Sequence, residues 1–139
     1  MRLLIIRHGD PDYSIDSLTE TGWKEAKLLA ERLAKTDMTE IYVSPLGRAK
    51  DTLKPTLEKT GRTAVTLEWL EEFKPRIYRP DRTDIRKASW DWLPQDWTKC
   101  QEFFDRNKWG TNPIYEEAGV KKEYDRIIEQ FDKFLSEHG

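Results

Sequence analysis

An α/β fold with a mostly parallel sheet is predicted from three short apolar runs, the helical segments between them and the resulting strand-helix-strand order. The runs lie at residues 2–8, 40–44 and 63–67, and the helical segments at residues 19–35 and 45–60. Parallel strands need a long crossover connection, which a helix usually supplies with right-handed geometry. We therefore expect the three strands to form one sheet.

The first strand is followed directly by residues suited to phosphate chemistry. The run Leu3–Ile6 is apolar without alternation, as in a strand covered on both faces, and Arg7, His8 and Gly9 follow it. Ligands of parallel sheets bind beyond the carboxyl ends of the strands. A neutral imidazole there can attack a phosphoryl group, and a guanidinium can hold its oxygens. The alternative is a structural histidine before a turn.

The first helix and second strand follow from periodicity. In residues 19–35 an apolar face is formed by Trp23, Ala26, Ala30 and Leu33. The short run Ile41-Tyr42-Val43 then predicts the second strand.

The second helix is expected to start with Ser44 as N-cap and Pro45 at its first position. Arg48 then lies in the first turn, where the helix dipole favours an anion. Ser44 is equally well explained as a cap or as a ligand, and Arg48 has the alternative of a solvated helix face. Pro55 is expected to kink or split this helix, and Gly61 to end it.

Two adjacent carboxylates follow the third strand. The alternation in residues 63–67 predicts a strand that ends before Glu72. Side chains of neighbouring strand residues point to opposite faces, so only one of Glu71 and Glu72 can face a site. For either one, the alternative is a solvent-exposed carboxylate.

In their order along the chain, these motifs resemble the histidine phosphatase superfamily, the phosphoglycerate mutase-like enzymes. The resemblance rests on Arg7-His8-Gly9, Leu18-Thr19-Glu20-Thr21-Gly22, Ser44-Pro45 with Arg48-Ala49, and Leu70-Glu71-Glu72. It implies a three-layer α/β/α fold, a phosphorylated His8, phosphoryl binding by Arg7 and Arg48, and Glu72 rather than Glu71 as proton donor. We add Gly9 and Ser44 to the phosphate-binding group, and Thr19 to the rim, where a capping role is equally consistent.

The resemblance favours a phosphatase that works through a phosphohistidine intermediate. Asp10-Pro11-Asp12 stands where Thr and Asn usually follow the histidine motif in the mutases. The alternatives are mutase-type phosphotransfer, a catalytically silent phosphate-binding module, or a truncated fragment. No cofactor or metal is expected, because guanidinium groups can take the electrostatic role that Mg²⁺ plays elsewhere.

Family members carry a second catalytic histidine after a later strand, and here the other histidine is His138. Apolar residues recur before it at helical spacing, at Tyr124, Ile127, Ile128, Phe131, Phe134 and Leu135. This spacing predicts a helix that ends at His138 and stops at Gly139. We therefore expect the chain to lack the segment that completes the site. That would leave an unpaired edge at Leu3–Ile6 open to self-association.

Residues 74–119 differ from the rest in being rich in aromatic residues and, in their first part, in basic ones. Their position after Glu72 favours an insertion that acts as a lid and sets substrate preference, with Arg79 and Arg82 at the rim. The alternative is a satellite core in which the tryptophans pack and the arginines are solvated.

Composition limits the remaining choices. A chain of 139 residues suits a single domain over 1–139, and no window is apolar enough for a membrane span. A formal net charge of −2 argues against a general nucleic-acid binder, so the expected partner is a small phosphorylated substrate. The single Cys100 and the absence of a signal-like N-terminus suggest a cytoplasmic protein.

Overall fold

The computed structural model describes residues 2–139. It divides into two compact units, the first ending at Glu71 and the second comprising Glu72–Gly139. Each unit has its own secondary structure and its own packing, and they are described in turn.

The first unit contains two short strand pairs and two long helices. Its elements are β1 (Pro11–Asp12), β2 (Ser17–Leu18), α1 (Glu20–Leu33), β3 (Tyr42–Val43), α2 (Gly47–Thr60), β4 (Val65–Thr66) and a 3₁₀ helix at Glu68–Leu70. Strands β1 and β2 form an antiparallel hairpin. Strands β3 and β4 pair in parallel, with α2 as the connection between them. This parallel pair and the long helices confirm the predicted α/β class.

The core of this unit lies where α1 packs against α2. Ala26, Ala30 and Leu33 are buried, as the helical spacing predicts. On α2 the buried positions include Thr52 and Thr56. Lys59 Nζ near the end of α2 lies 2.6 Å from Glu31 Oε1 near the end of α1, so the ends of the two helices lie side by side.

The strand predicted at residues 2–8 is not formed. Within the described residues this segment belongs to no strand, and Ile5 is 87% exposed, while Leu3, Leu4 and Ile6 are between 42% and 54% exposed. An apolar run becomes a buried strand only if neighbouring strands satisfy its backbone and helices cover its faces. The run meets neither condition here.

Helix α2 differs from its prediction at the start and not at the end. It begins at Gly47 with Leu46 as N-cap, so Ser44 is not the cap and Pro45 is not the first helical residue. Pro55 is accommodated inside one continuous helix rather than splitting it. Gly61 ends the helix with φ of 67°, a left-handed conformation that glycine adopts without strain.

The second unit is a hairpin followed by short helices and one long helix. Its elements are β5 (Arg76–Arg79), β6 (Arg82–Ala88), α3 (Pro94–Trp97), α4 (Pro113–Glu117) and α5 (Val120–His138), with 3₁₀ helices at Ser89–Asp91, Gln101–Phe104 and Trp109–Thr111. Strands β5 and β6 are antiparallel. No helix in residues 2–139 combines the length and apolar character needed to cross a membrane.

Aromatic side chains build the core of the second unit. Ile77, Trp92 and Val120 are buried together, and the rings of Phe103 and Tyr115 lie 5.3 Å and 5.7 Å from that of Trp92. The tryptophan-rich segment therefore packs as a core, as one interpretation of residues 74–119 expects of its tryptophans, although Arg79 is buried rather than solvated. The lid role of the segment stays a prediction. Val120, the first residue of α5, belongs to the same core, so this segment does not pack separately from the C-terminal helix.

Candidate functional site

His8 lies in a loop that precedes β1, which we call the histidine loop (residues 7–10). The side chain of Arg7 is exposed, whereas His8 and Gly9 are half-buried. His8 Nδ1 is 2.8 Å from the carbonyl oxygen of Gly9. Because a carbonyl can only accept, this hydrogen bond requires the proton on Nδ1. In the neutral ring the lone pair is then on Nε2, which is the nitrogen available as a nucleophile.

The histidine loop is tied to α2 through one hydroxyl. Gly9 N–H donates to Thr52 Oγ1 at 3.0 Å, and Thr52 Oγ1 donates to the carbonyl oxygen of Arg48 at 2.7 Å. Thr52 is 5% exposed, so both hydrogen bonds are protected from water. The loop that carries His8 is thereby held against the first two turns of the helix that carries Arg48.

The same loop is tied to α1 at its other end. Asp10 N–H donates to Glu25 Oε2 at 2.8 Å, and Thr19 Oγ1 donates to Asp10 Oδ2 at 2.6 Å. Gly22 lies so close that a Cβ there would be 2.2 Å from the carbonyl oxygen of Asp10. The Thr19-Glu20-Thr21-Gly22 motif thus holds the histidine loop against the start of α1. Thr19 also accepts from Gly22 N–H as the N-cap of α1, which confirms its capping role.

Arg48 is buried at the start of α2, against side chains of the β1–β2 hairpin. It is 7% exposed, and its Nη1 donates to Asp16 Oδ1 at 2.6 Å. The other carboxylate oxygen of Asp16 accepts from Gly47 N–H at 2.7 Å. The ring centroid of Tyr13 is 5.3 Å from the guanidinium carbon of Arg48. The alternative of a solvated helix face does not describe the environment of Arg48.

Sequence reasoning missed Asp16 and Tyr13. The hydrogen bond from Gly47 N–H, and then the ion pair with Arg48, hold the pKa of the Asp16 carboxyl below its ordinary value against the opposing effect of burial. The ring of Tyr13 also meets the ring of His8 edge to face, with centroids 6.5 Å apart. The available signal was the density of polar residues between Gly9 and Thr19. It did not say which of them would face Arg48.

Ser44 lies in the turn before α2. Its Oγ accepts from Leu46 N–H at 3.4 Å, which is a long contact, and the residue is half-buried. This arrangement is a serine turn rather than a helix cap.

Glu71 is the last residue of the first unit, and Glu72, Arg79, Arg82 and His138 belong to the second. Glu71 and Glu72 follow the 3₁₀ helix Glu68–Leu70 and are not on a strand, so the expectation that they point to opposite faces of a strand does not apply. Glu71 is half-buried and Glu72 is exposed. Side chains alternate between two faces only along a strand. After the 3₁₀ helix, local packing sets the direction of the Glu71 and Glu72 side chains.

Arg79 and Arg82 make different contacts from each other. Arg79 is 9% exposed and forms a fork with Asp81 through Nε and Nη2, while its Nη1 donates to the carbonyl oxygen of Asp91 at 2.6 Å. Hydrogen bonding to Arg79 lowers the pKa of Asp81. These contacts favour a structural role for Arg79 over a place at the substrate rim. Arg82 is exposed and reaches Asp84 at 3.1 Å.

His138 is the last residue of α5, as predicted. Its Nδ1 is 2.7 Å from the carbonyl oxygen of Phe134, and the two rings stack with centroids 4.3 Å apart. Among residues 2–139, no group of three or more His, Cys, Asp or Glu side chains is arranged to hold a metal ion.

Comparison with known proteins assigns the class. Residues 3–135 match the family described as histidine phosphatase superfamily (branch 1), and the chain therefore belongs to this superfamily. A protein of Schizosaccharomyces pombe described as a probable phosphatase is 34% identical over 87 residues, which are 56% of this chain and 41% of that relative. This chain thus spans about two fifths of the length of the relative.

Solved structures of a mycobacterial glucosyl-3-phosphoglycerate phosphatase are also similar. Its complex with VO3 is 32% identical with a TM-score of 0.43, covering 47% of this chain and 37% of the other. The native form is 30% identical with the same TM-score of 0.43, covering 54% of this chain and 38% of the other.

Proposed function

We propose that this protein is a phosphatase in which His8 takes a phosphoryl group from a small phosphoester. The observation that carries the proposal is the hydrogen-bonded connection from Gly9 through Thr52 to Arg48. It ties the loop that bears the nucleophile to the helix that bears a phosphate-binding guanidinium. The ring of Tyr13 supports the same grouping, because it contacts both His8 and Arg48.

In the proposed reaction, His8 Nε2 attacks phosphorus as the bond from phosphorus to the ester oxygen breaks. The electron pair goes to the departing oxygen, which receives a proton from Glu72, the residue that the family resemblance assigns to this role. Arg7 and Arg48 balance charge on the phosphoryl oxygens, with Gly9 and Ser44 as further donors. Water then attacks the phosphohistidine and gives a proton to the Glu72 carboxylate as the N–P bond breaks, which releases inorganic phosphate and restores both His8 and Glu72.

Hydrolysis is favoured over mutase-type transfer by the chain that follows His8. Asp10-Pro11-Asp12 replaces the Thr and Asn usual in mutases, and the similar proteins are named as phosphatases. A catalytically silent phosphate-binding module is the second candidate. It is favoured by the Asp16–Arg48 ion pair, because a carboxylate already bound to the guanidinium neutralises part of the charge that would stabilise phosphoryl transfer.

The test is capture of the phosphoenzyme. After incubation with a phosphodonor carrying labelled phosphorus, we expect acid-labile, base-stable label on the wild-type chain and none on His8→Ala. His138→Ala is the matched control and should keep the label, because His138 lies at the end of α5 and is bonded within its own helix. Glu72→Gln should take up the label more slowly, since Glu72 gives its proton to the leaving oxygen in the step that forms the phosphoenzyme.

Three results would contradict the proposal. Label retained on His8→Ala would make His8 structural, and label lost on His138→Ala would move the nucleophile to α5. A wild-type chain that binds phosphate but takes up no label would favour the silent module. Rates on a panel of small phosphoesters then distinguish hydrolysis from transfer to a second hydroxyl.

A further inference from the structure

The carboxylate of Asp16 contacts two consecutive residues at the start of α2. One oxygen accepts from the backbone N–H of Gly47 and the other from Nη1 of Arg48. A capping carboxylate needs only the backbone contact to satisfy a helix start. The second contact fixes the guanidinium relative to the helix backbone, which simple capping does not require.

Two local features of the backbone favour this contact. Asp16 has a φ of 48°, a left-handed conformation that is unusual for a residue with a side chain, although Asp tolerates it better than most. Gly47 provides the room, because a Cβ there would lie 2.1 Å from the carbonyl oxygen of Asp16. A strained residue and a required glycine thus meet at the same point.

Arg48 is held from a second direction by an aromatic ring. The guanidinium carbon lies 5.3 Å from the ring centroid of Tyr13, within the range of a cation–π contact. The side chain of Arg48 is 9% exposed, whereas that of Asp16 is 43% exposed. The arginine is therefore the enclosed partner, and the hairpin residues enclose it.

We propose that Asp16 is the positioning residue that orients Arg48 for phosphate. This inference rests on the proposed function, in which Arg48 binds the phosphoryl group. An arginine side chain in solution samples many rotamers, and a group already fixed in its bound orientation loses less freedom when a ligand arrives. The opposite role is that Asp16 acts as an internal anion that competes with phosphate for Arg48. The two roles predict opposite changes in phosphate affinity when Asp16 is replaced by Asn.

The experiment compares Asp16→Asn with Asp12→Asn by titration with inorganic phosphate. Asn tolerates the left-handed backbone and can still accept from Gly47 N–H, so the fold is expected to persist. By analogy with the outer partners of other ligand-binding side chains, Asp16→Asn should weaken phosphate binding about tenfold or more. Asp12 is the matched control, because it lies in the same hairpin and its carboxylate bonds to Ser14. Asp12→Asn removes the same charge and should leave the affinity unchanged.

A second readout follows the side chain itself. The ¹⁵Nε signal of Arg48, assigned by its loss in Arg48→Lys, should report an ordered side chain in the wild type and in Asp12→Asn. It should report a mobile side chain in Asp16→Asn. This measurement needs neither phosphate nor turnover, and thermal unfolding of each variant shows whether the fold has been kept.

Tighter phosphate binding by Asp16→Asn would overturn the inference in favour of competition. If Asp16→Asn leaves both the phosphate affinity and the ordered Arg48 side chain unchanged, the inference is overturned, and Asp16 only caps α2. A wild-type chain without phosphate affinity would contradict the proposed function. In that case, a mobile Arg48 in Asp16→Asn supports the positioning contact and an ordered one overturns it.

Discussion

The hydroxyl of Thr52 links the proposed nucleophile to the proposed phosphate-binding arginine. It accepts from Gly9 N–H and donates to the carbonyl oxygen of Arg48 while almost wholly buried. Nothing in the motif pattern marks this residue, since threonine in a helix is ordinary. Its importance follows from the need to satisfy a backbone amide that the histidine loop brings against α2.

Thr52→Val is expected to destabilise the first unit. Valine has nearly the same shape but leaves Gly9 N–H without its acceptor, and an unsatisfied buried donor costs about 1–3 kcal/mol. Urea unfolding measures the difference. Thr56→Val is the matched control on the same helix, because Thr56 is fully buried and, within residues 2–139, its Oγ1 has no hydrogen-bond partner. Its replacement should be neutral or stabilising, and equal losses in both variants would contradict the role given to Thr52.

Helices were predicted more successfully than strands, for a physical reason. Helix α1 and helix α5 follow from periodicity within the segment itself, because a helix satisfies its backbone internally. The strand predicted at Leu3–Ile6 depended on neighbours that the segment does not carry. The start of α2 was misplaced because its first N–H group is satisfied by Asp16, a partner 31 positions earlier. Long-range capping of this kind leaves no local signal.

The same reason limits prediction of the candidate site. Arg7, His8 and Arg48 could be selected because their residue types and order are recognisable. Asp16 and Thr52 act through contacts between segments, so only the folded chain reveals them.

Helix α2 should be sensitive to a side chain at its first position. Gly47→Ala would raise the intrinsic helix propensity of this position. Because its Cβ would lie 2.1 Å from the carbonyl oxygen of Asp16, however, the backbone at Asp16 or Gly47 would have to move. Overpacking of this kind costs about 1–3 kcal/mol, which urea unfolding would detect. Gly119→Ala is the comparison for backbone strain without a clash, because Gly119 has a φ of 64°, which costs an alanine about 1–2 kcal/mol, but no atom within 4 Å of an added Cβ. A larger loss at Gly119 than at Gly47 would contradict the close packing of the hairpin on α2.

The two units differ in what they leave exposed. The second has a buried core around Trp92 and exposes single apolar side chains such as Trp90 and Phe104, whereas the first keeps a continuous apolar run, Leu3–Ile6, in contact with solvent. Extended apolar segments with available backbone groups are prone to pair with another chain. We propose a second copy of this chain as the partner, because the same run is then available on both molecules.

Ile5→Lys should therefore reduce self-association of the 139-residue chain. Ile5 is 87% exposed, so the substitution disturbs no packing, and a charge at the centre of the run opposes pairing between strands. Sedimentation velocity over a range of concentrations measures the effect, with the wild type expected to shift toward dimer as concentration rises. Leu28→Lys is the matched control, because it adds the same charge at a residue that is 72% exposed. Leu28 lies on α1, a helix whose backbone hydrogen bonds are made within the helix. If both variants dissociate alike, the cause is net charge rather than the run at Leu3–Ile6. A wild type that stays monomeric at every concentration would show that this run does not pair with a second copy.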